Sequence, residues 1–169
     1  DVDSVIDETC SNYLKKSFEN QSQRKRELEE LLEEDSRQLE NDVHDISKRI
    51  ELVADVSSAQ DFRKCVERIT TIKHDVETKL ERGEEIYERE TLLEVPHSDH
   101  VAKLEDAAAQ IEPLERLWNT IKSFIEQSHE WTESPLAEVN AEESEKTCDD
   151  LFRTLVKLTK ELDKLGETR

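Results

Sequence analysis

The sequence predicts an all-α fold, an elongated antiparallel bundle of long coiled-coil-like helices, and three observations carry that expectation. Two glycines (Gly83 and Gly166) and three prolines (Pro96, Pro113 and Pro135) in 169 residues are too little punctuation for hairpins and strand–helix crossovers. Apolar residues recur at alternating spacings of three and four along most of the chain, the pattern of a coiled-coil seam. Charged residues make up 40% and hydrophobic ones 34%, too polar for one round core and too regular for random coil.

The first helix is expected from about Glu27 to Asp55, with Leu32, Leu39, Val43, Ile46, Ile50 and Val53 on its seam and Ser36 the one polar interruption. Phe18 and Leu28 extend the stripe loosely backwards. Gln21 to Arg26 is all polar, so a weakly ordered start is expected within the first segment, 1–57. The run Ser57 to Asp61 breaks the pattern, and Ser58 with Asp61 three residues later forms a variant of the capping box for a second segment, 58–95. Its stripe is Phe62, Cys65, Val66, Ile69, Ile72, Val76, Leu80, Ile86 and Tyr87, and it ends before Val95-Pro96, because a residue preceding proline is pushed out of the helical region.

A third segment, 97–134, has Ser98 or Asp99 as cap and the seam Leu104, Ala107, Ile111, Leu114, Trp118, Ile121 and Ile125. Pro113 lies inside it, which predicts a kink near Ala109 to Glu112 or a new helix starting at the proline. Ser134-Pro135 closes the segment. In the fourth, 135–169, Asn140 and Glu143 have the side chains of a cap, the seam runs Cys148, Leu151, Leu155, Leu158, Leu162 and Leu165, and Gly166 is the expected stop. The second and third helices approach 35 residues, roughly 50 Å each, and the short breaks between segments fold successive rods back against one another as one bundle.

A formal charge of -19 argues against binding nucleic acid or an anionic membrane, since such a surface repels phosphate. No apolar run approaches the length of a membrane span, and Asp1-Val2-Asp3 is not a signal peptide. Cys10, Cys65 and Cys148 are odd in number and widely spaced, which fits reduced thiols in the cytosol. With no methionine anywhere, even at position 1, the chain is expected to be a fragment of something larger.

Residues that could carry chemistry are few. His129-Glu130-Trp131-Thr132-Glu133 has the histidine and glutamate of a zinc-protease helix without its second histidine. His97, Asp99 and His100 could ligate a metal, but they sit in a turn where polar residues are the default. A nucleophilic cysteine would need a base and an oxyanion hole, and the two glycines are too far apart for a phosphate-gripping loop, so no catalytic residue, metal, cofactor or small-molecule ligand is expected. Asn20-Gln21-Ser22 is a chance glycosylation sequon in a chain of cytosolic character. The acidic cluster Glu138, Glu142, Glu143, Glu145, Asp149 and Asp150 lies mostly in the first turns of a helix, where negative charge meets the positive end of the dipole, although it could also recruit a basic partner. Trp118 falls on the seam as a core residue, and Trp131 just beyond it is either core or a partner-facing anchor.

The stretch Ile111-Glu112-Pro113-Leu114-Glu115-Arg116-Leu117-Trp118, followed by Phe124, Trp131, Pro135-Leu136, Val139 and Leu151-Phe152-Arg153-Thr154-Leu155-Val156-Lys157-Leu158, resembles the tail of dynein heavy chains just ahead of the linker. The likeness is good from about Leu104 to Leu162. Ahead of it lie a capped helix from Ser58 to Leu93 and the turn at Val95-Pro96, which is shorter and less proline-rich than is usual in that family.

The resemblance implies a non-catalytic, force-bearing helical tail in a microtubule motor, most like the axonemal heavy chains of cilia. Its ATP sites would lie far along the chain. Other dynein heavy, intermediate or light chains are the implied partners, and the cytoplasm, cytoskeleton and ciliary axoneme the implied location. Trp118, Trp131 and Pro135 match motif positions, with packing and turning as their implied roles, beside the seam residues Ile111, Leu114, Leu155 and Leu158. The competing reading is a spectrin-like repeat of an actin-linked scaffold, also built from long helices bearing tryptophans.

Overall fold

The computed structural model describes residues 2–56, 58–135 and 139–167, with the side chains of residues 3 and 165–167 outside that description. It contains α1 (Val2–Ala54), a single 3-10 turn (Ala59–Asp61), α2 (Phe62–Leu93), α3 (His100–Glu133) and α4 (Ala141–Glu167), and no strand among the described residues. The all-α expectation holds.

Helices α1, α2 and α3 pack on one another, and α4 packs chiefly on α3. The shared core is the seam seen in the sequence. Leu32, Leu39, Val43, Ile46, Ile50 and Val53 of α1 meet Phe62, Cys65, Ile69, Ile72, Val76 and Ile86 of α2 and Leu104, Ala107, Ile111, Leu114 and Trp118 of α3, all 7% exposed or less. Burying one such aliphatic side chain is worth about 1.5–3 kcal/mol, which is what orders rods this polar. Gly83 marks the tightest crossing: a Cβ there would lie 3.3 Å from Val101 Cγ2, 3.6 Å from Leu39 Cδ2 and 3.7 Å from Leu104 Cδ1.

Ion pairs fix direction and register. Arg49 meets Asp75 at 2.6 Å, Lys79 meets Asp42 at 2.5 Å, and Asp35 receives Arg82 at 3.3 Å and Arg89 at 2.6 Å. Positions descend along α1 as they rise along α2, so these helices run in opposite directions. Lys73 to Glu115 (2.9 Å) and Ser98 to Glu90 (2.9 Å) give α2 and α3 the same relation. Consequently α1 and α3 run the same way, and Glu40 to Ser47 share a cleft with Lys103 to Gln110. Arg116 to Glu161 at 2.7 Å, with Trp131 beside Glu143 and Thr147, folds α4 back along α3.

Several local expectations are corrected. α1 is one helix of 53 residues and does not begin near Glu27. Gln21 to Arg26 stays helical because Gln, Lys and Arg are good helix formers even with nothing to pack on. Phe18 and Leu28 are exposed and belong to no seam. The Ser58 hydroxyl does accept an N–H, from Gln60 at 3.3 Å, but it starts the 3-10 turn, and Asp61 pairs with Lys64 instead of capping back.

At the other end of α2, Glu94 adopts a left-handed conformation (φ 58°) and Val95 N–H reaches back to the Glu90 carbonyl at 3.1 Å, a Schellman closure just before Pro96. Asp99 makes no capping hydrogen bond at the start of α3. Pro113 is buried inside a continuous α3, so no new helix starts there. The carbonyl it deprives of a partner belongs to Ala109, which is exposed and therefore open to water. α3 stops at Ser134, extended ahead of Pro135 (ψ 146°). Asn140 Oδ1 accepts from Glu143 N–H at 3.3 Å, and α4 continues through Glu167, past the stop expected at Gly166.

Candidate functional site

Two places gather side chains that are not simple core: the turn between α2 and α3, and the hairpin of α3 and α4. At the turn, the Glu90 side chain is only 5% exposed. Its Oε2 accepts the Ser98 backbone N–H at 2.9 Å and lies 3.5 Å from His97 Nδ1. Such a carboxylate, anchored by a backbone donor, holds the turn closed, because removing it would leave a half-buried N–H without its acceptor. His97 stacks on Tyr87, ring centroids 4.2 Å apart, so Tyr87 is an outer residue of the turn and not a seam residue. His100 is buried, and its Nε2 lies 2.7 Å from Ser36 Oγ across the bundle. The polar interruption in the α1 seam is thus matched by a polar residue at the head of α3.

A serine and a histidine at 2.7 Å invite comparison with a nucleophilic dyad, and the surroundings decide against it. His100 Nδ1 is buried with no partner among the described residues, where a dyad needs an acceptor to orient the ring. Ser36 lies in mid-helix, where backbone N–H groups are committed to the helical ladder and cannot form an oxyanion hole. Nor do the turn's candidate ligands converge. Asp99 is held below the usual carboxylate range by Lys103, which hydrogen-bonds it at 2.9 Å, while His97 and His100 are engaged on Glu90 with Tyr87 and on Ser36. Among the described residues no three His, Cys, Asp or Glu side chains form a metal-binding group, and His129 at the end of α3 meets only Glu133, at 3.7 Å. Burial pushes the Cys65 thiol up, the opposite of what a nucleophile needs. Cys10 is exposed.

In the hairpin, Trp118 is 3% exposed, with Leu114 and Ile111 one and two turns before it, and its Nε1 has no partner among the described residues. Trp131 is half-buried and lines a cleft of about 300 Å³ with Gln127, Glu130, Asn140, Glu143 and Thr147. Leu158 is buried, Leu155 half-buried, and Phe152 and Val156 exposed. Leu136 and Glu138 lie outside the described residues. Sequence reading missed Glu90 and the Ser36–His100 pair. The signal for the pair was present, since one polar residue in an apolar seam needs a polar partner at the same level; Glu90 had no such signal.

Comparison with known proteins bears on the same hairpin. Residues 104–167 match a family described as dynein heavy chain, N-terminal region 2. The chain is 29% identical over 127 residues to mouse dynein axonemal heavy chain 3, covering 74% of this chain, and 29% identical over 115 residues to its human counterpart, covering 68%. It spans only about 3% of the length of those relatives. No solved structure matches it significantly. By family pattern and by relatives, this chain is similar to dynein heavy chains in their N-terminal region, axonemal ones among them.

Proposed function

We propose that the chain is a non-catalytic, force-transmitting tail segment of a dynein heavy chain, working in a microtubule-based ciliary motor at the axoneme. The observation that carries this reading is the match of the α3–α4 hairpin to dynein N-terminal region 2. The architecture is consistent with it. Rods of 32 and 34 residues, crossed by ion pairs that resist sliding and closed by a short turn anchored on Glu90, suit an elongated antiparallel bundle that carries load along its length. Such a segment joins an attachment point to a motor located elsewhere and holds other dynein subunits. Within it Trp118, Ile111, Leu114, Leu155 and Leu158 serve packing, and Trp131 with Pro135 shapes the reversal between α3 and α4.

A spectrin-like scaffold repeat is the second reading. It is favoured by α3 passing from the three-helix region into a further hairpin with α4. Affinity capture from ciliary extract on the immobilised chain, with the retained proteins identified by mass spectrometry, separates the two. Enrichment of dynein heavy, intermediate or light chains is expected. Retention of actin-linked proteins alone, or saturable one-site binding of Mg-ATP to the chain in calorimetry, would contradict the motor-tail reading.

A further inference from the structure

Most hydroxyls in this chain are tied into helices. Thr132 and Thr147 show the pattern, each bonding the carbonyl four residues back, Ser128 at 2.9 Å and Glu143 at 2.8 Å. Ser58 has an extended backbone, but its oxygen already accepts the Gln60 N–H. Ser134 differs on both counts. It ends α3 with φ -74° and ψ 146°, close to the polyproline II values of about -75° and +145°, and its hydroxyl has no hydrogen-bond partner among the described residues. Its neighbour Pro135 is exposed, and of the three prolines only this one follows a serine or threonine.

We propose that Ser134 accepts a phosphoryl group from a proline-directed protein kinase, and that the phosphate loosens the reversal between α3 and α4. A kinase takes its substrate serine in an extended backbone, and proline at the next position holds the serine there while presenting no N–H that the enzyme must satisfy. In the transfer, Ser134 Oγ bonds to the γ-phosphorus of Mg-ATP as the bond from that phosphorus to the β–γ bridging oxygen breaks. ADP leaves, and the hydroxyl proton passes to a carboxylate of the kinase. The residues just ahead of Ser134 must leave the helix to be read. The last turn of α3 is the least costly to open, because Glu130 and Glu133 crowd the negative end of its dipole and no basic residue lies in that turn.

The same charges set the consequence. Ser134 shares its cleft with Glu130, Trp131, Asn140 and Glu143, and no lysine or arginine lines it. Across the cleft α4 opens with Glu142 and Glu143 in its first turn. A phosphate adds about -1.5 to -2 of charge at pH 7, and at a helix C-terminus beside carboxylates it disrupts by repulsion. The first turn of α4 would otherwise attract an anion, but its two glutamates already occupy that role.

The test is incubation of the 169-residue chain with a purified cyclin-dependent kinase and Mg-ATP, followed by mass spectrometry of the peptides and hydrogen exchange of the product, with circular dichroism as the control for folding. One phosphate is expected, on Ser134, absent from Ser134→Ala and greatly reduced in Pro135→Ala. In the phosphorylated chain, amides of residues 128–134 and 142–147 should exchange faster on the order of tenfold at low salt, while those of residues 104–118 stay unchanged. The gain in exchange should shrink at about 0.5 M salt, since the Debye length falls from ~10 Å at 0.1 M towards ~3 Å at 1 M. A chain that takes up no phosphate, takes it up only elsewhere, or takes it up equally without Pro135 would overturn the assignment of the site. Unchanged or slower exchange around phosphorylated Ser134 would overturn its role in loosening the reversal.

Discussion

The two halves of α1 share one continuous helix and similar composition, yet they differ in almost everything that determines stability. From Leu32 to Val53 six seam residues are 6% exposed or less, and Asp35, Asp42 and Arg49 tie the helix to α2. From Val2 to Leu31 the large apolar residues Val2, Val5, Ile6, Tyr13, Leu14, Phe18, Leu28 and Leu31 are all more than half exposed. Backbone propensity is enough to describe a helix in both halves. Only partners convert it into a stable element, since isolated helices in water sit near the margin of formation. A regular seam in a sequence therefore reports packing only where a second helix is at hand to read it.

The largest effect that separates packed from unpacked regions is expected at Trp118, buried among α1, α2 and α3. Trp118→Ala should cost about 3–5 kcal/mol in urea unfolding; an unchanged midpoint would mean that α3 packs by another face. Next comes the turn. Glu90→Ala removes the acceptor of the half-buried Ser98 N–H and should cost about 1 kcal/mol, whereas a neutral result would show that the turn is held by its backbone closure alone.

A smaller effect is expected at Asp35, whose carboxyl is held below its usual 3.8, first by the Arg89 hydrogen bond and then by the charges of Arg89 and Arg82. A depressed folded-state pKa adds stability above the unfolded value and loses it as the pH falls through the folded one. The advantage of wild type over Asp35→Asn should thus be full near neutral pH and shrink below about 3.8, staying under about 1 kcal/mol throughout because the pair is partly exposed. An advantage that grows on acidification would reverse the assignment. The smallest effect is expected in the unpacked half, where Phe18→Ser at monomeric concentration should shift stability by no more than about 0.5 kcal/mol. A larger loss would place Phe18 against a neighbour within the same copy.

Much of the packed region was legible because its residues obey one rule. Ile46, Ile50, Val53, Ile69, Ile72, Val76, Leu104, Ile111 and Trp118 are read from spacing and found buried. What spacing could not show is geometry that depends on another element. Ser36 reads as a flaw in the seam until His100 is placed opposite it. Tyr87 keeps the seam interval yet lies at the edge of the bundle, where His97 stacks on it. Pro113 reads as a break, but the carbonyl it frees faces outward at Ala109, so the helix continues.

The weak metal and zinc-protease patterns were visible only as letters, and their side chains are spread over separate partners in three dimensions. Resemblance to the dynein heavy chains rested on the tryptophan helix and the leucine series after it, the part of the chain that the family match covers. The overhang of α1 showed in the sequence as the place where the seam stops, since Gln21 to Arg26 is all polar, although its helical backbone did not.

Hydrogen exchange along α1, measured at a concentration where the chain is monomeric, tests the central contrast most directly. Amides of residues 32–54, which share a core with α2 and α3, should exchange only through global unfolding and lose protection together in Trp118→Ala. Amides of residues 2–31 should exchange by local fraying, faster by orders of magnitude and indifferent to that substitution. Uniform protection along the whole of α1, falling as one unit when Trp118 is removed, would contradict the account.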